Sequence, residues 1–530
     1  MAEKFSGLYA FSIEIPDTYI LKSQLALDVL HYNLKFDLHP EKKLLDGDVI
    51  ITGLLKDSLT KRIDLNFYDN FEIKEVRLNN QLVANYNYSG TNFSVPLNYS
   101  TLDTFNLQII YEGTPKKLGF NSFSFDNFNN RSVTNTLSEP VYASTWYPCD
   151  DRPDDKALLD MYITNDSSKV SVSNGKLMDI KTDSARRTYH WKTFYPVSTY
   201  LICIYSADYK NFSQDYINID NKKIDLEYYA FPEHLEMAKN DFSEHPEIMK
   251  FYENAFGEYP FVKEKYGVAE FMWQYGAMEH QTITGIGYNF VNGKKMFNEY
   301  YIHELAHQWW GDAVGLKTWE DIWLNEGFAS YCEALYSEHK AGFNALKSTM
   351  SSKYSKDFNG TLYNPDYLFS STVYNKGAWV LHMLRFEIGD STFFRVLREY
   401  YNKYKYSNAS TSDFEKLCEN VSGKDLSYFF NQWVFDGKGI IDLKYNYVTE
   451  STDDGSKIKI KFEQVQDGYP VYKFPLEVFI KSEKQEKKKI FYITKKQQEI
   501  ELNIDGKVKD VQIDPDSWLL AKIEKDEKLK

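Results

Sequence analysis

Two histidines four residues apart, His303 and His307, enclose Glu304 in His303-Glu304-Leu305-Ala306-His307. Glu326 follows after eighteen intervening residues, within Trp323-Leu324-Asn325-Glu326-Gly327. Residues spaced by four share one face of an α-helix, so both imidazoles can address a single ion while Glu304 stands beside it without ligating it. A carboxylate from a second helix is the usual third protein ligand of a hydrolytic zinc site, and it leaves the fourth position open for water. Glu326 is the expected third ligand, giving one zinc per chain. A bare HExxH also arises by chance on amphipathic helices; the Asn-Glu-Gly at the right distance, on its own helix, sets this one apart. Such a set supports hydrolysis, because zinc lowers the pKa of a bound water toward ~7 and Glu304 can take its proton and later pass it to a leaving amine.

The apolar spacing predicts the two helices that must carry these groups: Tyr300, Ile302, Leu305, Ala306 and Trp309 on the first, and Trp323, Leu324, Phe328, Tyr331 and Leu335 on the second. Glu333 lies two turns beyond Glu326 on the same face, where it could orient a ligand imidazole through its second nitrogen. From about residue 20 to 206 the pattern is mostly period two, as in His31-Tyr32-Asn33-Leu34-Lys35-Phe36-Asp37-Leu38. Between 233 and 436 it shifts to three and four, predicting helices over 233–256, 297–312, 320–340, 376–388 and 412–434. Val268 to Tyr275 reads as a strand whose open edge could pair with an extended peptide. Alternation returns from Ile441 and predicts a small β-sandwich. The expected fold is therefore multidomain α+β, with a β-rich domain over 1–207, a mainly helical catalytic domain over 208–437 and a β-sandwich over 438–530.

Composition narrows the function further. With 76 acidic against 62 basic residues the formal charge is −14, the wrong sign for holding nucleic acid phosphates. Cys149, Cys203, Cys332 and Cys418 are widely spaced with no CxxC, which argues for buried thiols rather than a disulfide framework or thiolate zinc site. No apolar run is long enough to span a membrane, and the first residues lack the basic and apolar regions of an export signal. A soluble protein is expected, cytoplasmic or exported with its signal removed. Lys487-Lys488-Lys489 reads as a solvated charge run. Oligomeric state is not legible.

His303 to Asp312 and Trp323 to Ala329 resemble the zinc signature of the aminopeptidase N family, gluzincin metallopeptidases that include a leukotriene-epoxide hydrolase. Gly276-Ala277-Met278-Glu279-His280 resembles that family's Gly-Ala-Met-Glu-Asn exopeptidase motif, and Val373-Tyr374-Asn375-Lys376-Gly377-Ala378 its Tyr-x-Lys-Gly element. Ser138-Glu139-Pro140 with Trp146-Tyr147-Pro148-Cys149-Asp150 resembles the segment that brings a second glutamate to the family's site. The resemblance implies a thermolysin-like catalytic domain and an aminopeptidase acting on peptides with a free amino terminus. In that reading Glu304 is the general base, the Tyr374 phenol stabilises the developing oxyanion, and Glu279 and Glu139 read the substrate ammonium beside Gly276, Ala277, Met278 and His280.

Three departures stand out. His280 replaces the usual asparagine, and an imidazole there is expected to change charge near neutral pH. Leu137 stands where many relatives carry glutamine, implying a more apolar pocket for the first side chain. The 530 residues contain no counterpart of the helical domain that covers the active site in many relatives, which would leave a wider cleft. The alternatives are a zinc endopeptidase with an open cleft and a catalytically inactive scaffold.

Overall fold

The computed structural model describes residues 19–57, 59–97, 104–453 and 455–529. Its architecture is multidomain α+β, with β-sheets first, a helical middle and β-sheets again at the end. In the first part, the long strands Leu27–His39 and Leu44–Leu55 alternate buried and less buried positions along their length, and they sit at the centre of an eight-stranded sheet. The inward residues Tyr32, Leu34, Phe36 and Leu38 of the first strand are 2 % exposed or less, so period two in the sequence has become one apolar face. All four cysteines are free and buried.

Contacts divide the chain into two compact units, one running to Trp319 with the return segment Tyr404–Ala409, the other comprising Glu320–Lys403 and the chain from Ser410 onward. Within the first, a five-stranded sheet runs in the order Lys210–Ile217, Lys223–Ala230, Tyr266–Phe271, Ile283–Gly287, Ala277–Met278. The strand read from Val268 onward is therefore Tyr266–Phe271, and its expected open edge is absent. It is paired in parallel on both sides, with residues 226–229 and 283–287. Its continuous burial is what a parallel strand covered on both faces requires. The edge belongs instead to Ala277–Met278, antiparallel to Ile286 and Gly285.

Helix α1 spans Asn298–His307 and ends five residues earlier than the periodicity predicts. Gly311 takes φ 129° and Gly311 N–H donates to the Val314 carbonyl at 2.9 Å, closing a turn where the apolar pattern alone reads on. In the second unit, α2 covers Trp323–Ala341, and α3 covers Gly377–Ile388 directly after a π-helical turn, Thr372–Lys376. Helices Phe343–Ser352 and Asp390–Tyr404 were not anticipated from spacing. The last part forms a four-stranded and a three-stranded sheet. No helix among the described residues is long and apolar enough to cross a membrane.

Candidate metal and peptide site

Helix α1 presents His303 and His307 on one face, their ring centroids 4.7 Å apart. One ligand atom from each of His303, His307 and Glu326 falls within 4.8 Å of the other two. His307 Nδ1 lies 3.0 Å from the Trp310 backbone carbonyl. A carbonyl only accepts, so Nδ1 carries the proton and Nε2 keeps its lone pair for a metal. Trp310, three residues further along the chain, provides this orientation, a local partner that periodicity does not reveal.

Two further groups meet the same distance criterion: Glu279, Glu304 and His307, and Glu139, Glu279 and Glu326. Glu139, Glu279, Glu304 and Glu326 are each 5 % exposed or less. Gathering buried carboxylates is unfavourable unless cations offset their charge. Burial, and next the Glu279 carboxylate, also push nearby Asp312 well above the usual carboxylate range. Two imidazoles and a carboxylate form the donor set of a hydrolytic zinc site.

The turn carrying Glu279 is anchored on several sides. Gly276 accepts a hydrogen bond from Gly287 N–H at 3.0 Å, and Ala277 and Met278 form the last strand of the sheet. Beyond Glu279 and the fully buried His280, Thr282 adopts φ 66°, costly for a β-branched residue. Its N–H donates to Gln308 Oε1 at 2.8 Å and its Oγ1 accepts from Gly175 N–H at 2.8 Å. The Asn174 side chain donates to the Gln281 carbonyl at 2.8 Å. Gln308, next to His307, thus ties the acid-bearing turn to the histidine helix.

The expectation that His280 changes charge near neutrality fails. Burial pushes its pKa down to about 3, and Nδ1 is engaged with the Tyr205 hydroxyl at 2.6 Å. Leu137 is buried, 2 % exposed.

In the second unit, Tyr374 lies in the π-helical turn, a form concentrated at functional sites. Lys376, fully buried, donates through Nζ to the Gly437 carbonyl at 2.7 Å and the Gly360 carbonyl at 3.1 Å. Gly327, just after Glu326, packs against Gly377; a Cβ on Gly327 would come within 3.0 Å of the Gly377 Cα. Close approach explains why both positions are glycine. Glu333 Oε2 accepts from Lys353 Nζ at 2.7 Å.

Comparison with known proteins agrees with this arrangement. Residues 29–201 match the peptidase M1 N-terminal domain and residues 240–433 the peptidase family M1 domain, together more than half of the chain. This chain belongs to the M1 peptidase family. It is 27 % identical over 438 residues to probable aminopeptidase 2 of Sulfurisphaera tokodaii, covering 77 % of this chain and 54 % of that protein. Mitochondrial aminopeptidase 2 of Saccharomyces cerevisiae is 26 % identical, with 84 % and 50 % covered. The chain thus spans about half the length of these curated relatives. An M1 zinc metallopeptidase of Deinococcus radiodurans, solved with a Tyr-Ser-Ala substrate, superposes with TM-score 0.68 at 25 % identity, over 78 % of this chain and 95 % of that one. Aminopeptidase A of Legionella pneumophila shares the fold, with TM-score 0.82 at 18 % identity over 94 % of this chain and 60 % of that one.

Proposed function

We propose that this chain is a zinc aminopeptidase that hydrolyses the first peptide bond of peptides with a free α-amino group. The observation that carries the reading is the company the histidines keep: Glu139, Glu279 and Glu326 offer oxygens within 4.8 Å of one another, and Glu279 also belongs to the group that contains Glu304 and His307. Zinc would be held by His303, His307 and Glu326, where it supplies Lewis acidity toward a carbonyl and acidifies a water. Glu304 takes the proton of the attacking water and returns it to the departing amine. Tyr374 donates its phenol hydrogen bond to the carbonyl oxygen as negative charge grows there. Glu279 and Glu139 bind the ammonium, and an acylated nitrogen offers them no charge to pair with. Ala277–Met278, at the sheet edge, can align the peptide by β-addition next to Gly276. The relatives' own names, aminopeptidases and a zinc metallopeptidase with bound tripeptide, support the same activity. The residues assigned here and the partition at 1–207, 208–437 and 438–530 belong to this proposal.

The test compares aminoacyl chromogenic substrates with their N-acetylated forms, with and without a chelator. Cleavage of the free amine alone, abolished by the chelator and restored by zinc, is expected. Equal cleavage of both forms would instead identify an endopeptidase, and cleavage of neither would identify a scaffold.

A further inference from the structure

Lys156 stands two residues ahead of the strand Leu158–Asp166, which neighbours Leu27–His39 in the eight-stranded sheet. Its Nζ donates to three backbone carbonyls: Asp312 at 2.8 Å, Ser407 at 3.1 Å and Ala313 at 3.4 Å. All four residues belong to the first compact unit. An ammonium has three N–H donors, so the count is met in full, whereas a neutral amine would leave one of these contacts unmade. Burial draws the Lys156 pKa down to about 7, and the Asp312 carboxyl opposes that shift.

Gly315 keeps the space that this group fills. A Cβ there would lie 2.8 Å from both Nζ and Cε of Lys156, and 2.4 Å from Asn408 Oδ1. Gly315 is not among the glycines with positive φ, so close approach, not backbone conformation, is what excludes a side chain.

The carbonyls that Lys156 holds close the end of helix α1. Beyond His307, Asp312 N–H donates to the His307 carbonyl at 3.0 Å and Ala313 N–H to the Gln308 carbonyl at 3.2 Å. Within this turn lies Trp310, whose carbonyl takes the Nδ1 proton of His307. Among the described residues, Lys156 is the one donor to the Asp312 carbonyl. Carbonyls at a helix end need such a partner, and without it the turn loses an anchor.

We propose that Lys156 is a positioning residue for zinc binding: by holding the turn at 310–313 it keeps the Trp310 carbonyl on His307 Nδ1, and so keeps Nε2 aimed at the metal. It acts through the turn and touches neither metal nor substrate. The inference rests on the zinc reading of His303, His307 and Glu326. Direct partners of a ligand histidine are worth about 10- to 100-fold in metal affinity, and Lys156, one step further out, belongs at the lower end.

The experiment compares the full chain with Lys156→Met, which keeps the apolar stem and loses the donors. Zinc affinity is measured by competition with a chelator, and the metal-free chains are labelled with 15N-histidine, the His307 signal being assigned by its loss in His307→Gln. Zinc should bind about tenfold more weakly in the variant, and the His307 Nδ1 proton signal should weaken. Gly315→Ala, which crowds the amine without removing it, should reproduce part of the loss. Lys156→Cys alkylated with 2-bromoethylamine rebuilds an ammonium of nearly the same reach and should restore the affinity; the four native cysteines are buried. A purely structural role would lower the melting temperature and leave His307 Nδ1 protonated with zinc affinity unchanged, which overturns the inference. So does a loss of affinity that the rebuilt amine fails to restore. If the wild-type chain binds no zinc, the zinc reading fails separately, while the histidine spectrum still shows whether Lys156 governs the His307 tautomer.

Discussion

Replacing Glu279 by glutamine isolates the charge that reads the substrate ammonium. The side chain keeps its size and its burial, at 4 % exposure, and loses one formal charge. The oxygens of Glu139, Glu279 and Glu326 lie within 4.8 Å of one another, so an ammonium seated among them is about 4 Å or less from each. At that separation one charge pair is worth about 4 kcal/mol at an effective dielectric of 20 and about 1 kcal/mol in water. Relief of repulsion among the remaining carboxylates returns part of this. A net loss of about 3 kcal/mol is the resulting expectation, or about 150-fold in kcat/KM. The assay is hydrolysis of leucine 4-nitroanilide by wild type and variant, with zinc content measured on both. The variant should keep its metal, and its loss should shrink as ionic strength weakens the wild-type attraction. Activity within threefold of wild type at full zinc occupancy would remove Glu279 from the ammonium site.

Glu304→Gln should retain zinc and lose about 10² to 10⁴ in turnover; elemental analysis showing metal loss would mean that Glu304 had been assigned the wrong task. Tyr374→Phe should lower kcat about 10² to 10³ with little change in KM, as expected for a donor used only at the transition state, and a change confined to KM would contradict that role. Acidification should destabilise the fold through His245, His280 and His382, whose pKa values burial drives down to about 3. The unfolded chain binds protons at these histidines below about pH 6.5 while the folded chain does not, so stability is intact above that value and falls as pH drops toward 3. At pH 4.5 each contributes a loss on the order of 2–3 kcal/mol. Urea unfolding at pH 6.5, 5.5 and 4.5 measures the slope, which His245→Phe should reduce by one proton; stability flat across this range would refute the argument.

The parts of the site that lie close in sequence were legible. Histidines spaced by four need only one helix to converge, and Glu326 needed a second helix whose apolar spacing was equally plain. Alternation likewise announced the strands around His31 and Ile441. What escaped notice depends on distant pairings. Tyr205 meets His280 across 75 residues, and no local pattern marks either as a partner. Whether a strand has a free edge is decided by its neighbours, which is why the strand at Tyr266–Phe271 proved interior and the edge passed to a two-residue strand too short to show alternation. The charge of His280 is hidden from the sequence for the same reason: an imidazole's reference pKa describes water, and its burial is a property of the whole fold.

The backbone contact between Gly327 and Gly377 has a consequence for how such a protein can change. One glycine follows the carboxylate assigned to the metal and the other ends the turn bearing the phenol, so two unlike chemical tasks share a single mechanical joint. A methyl group on either glycine would wedge the helices apart and displace both tasks at once. Change in this chain is thus constrained at this contact, where drift in one helix demands an answering concession from the other.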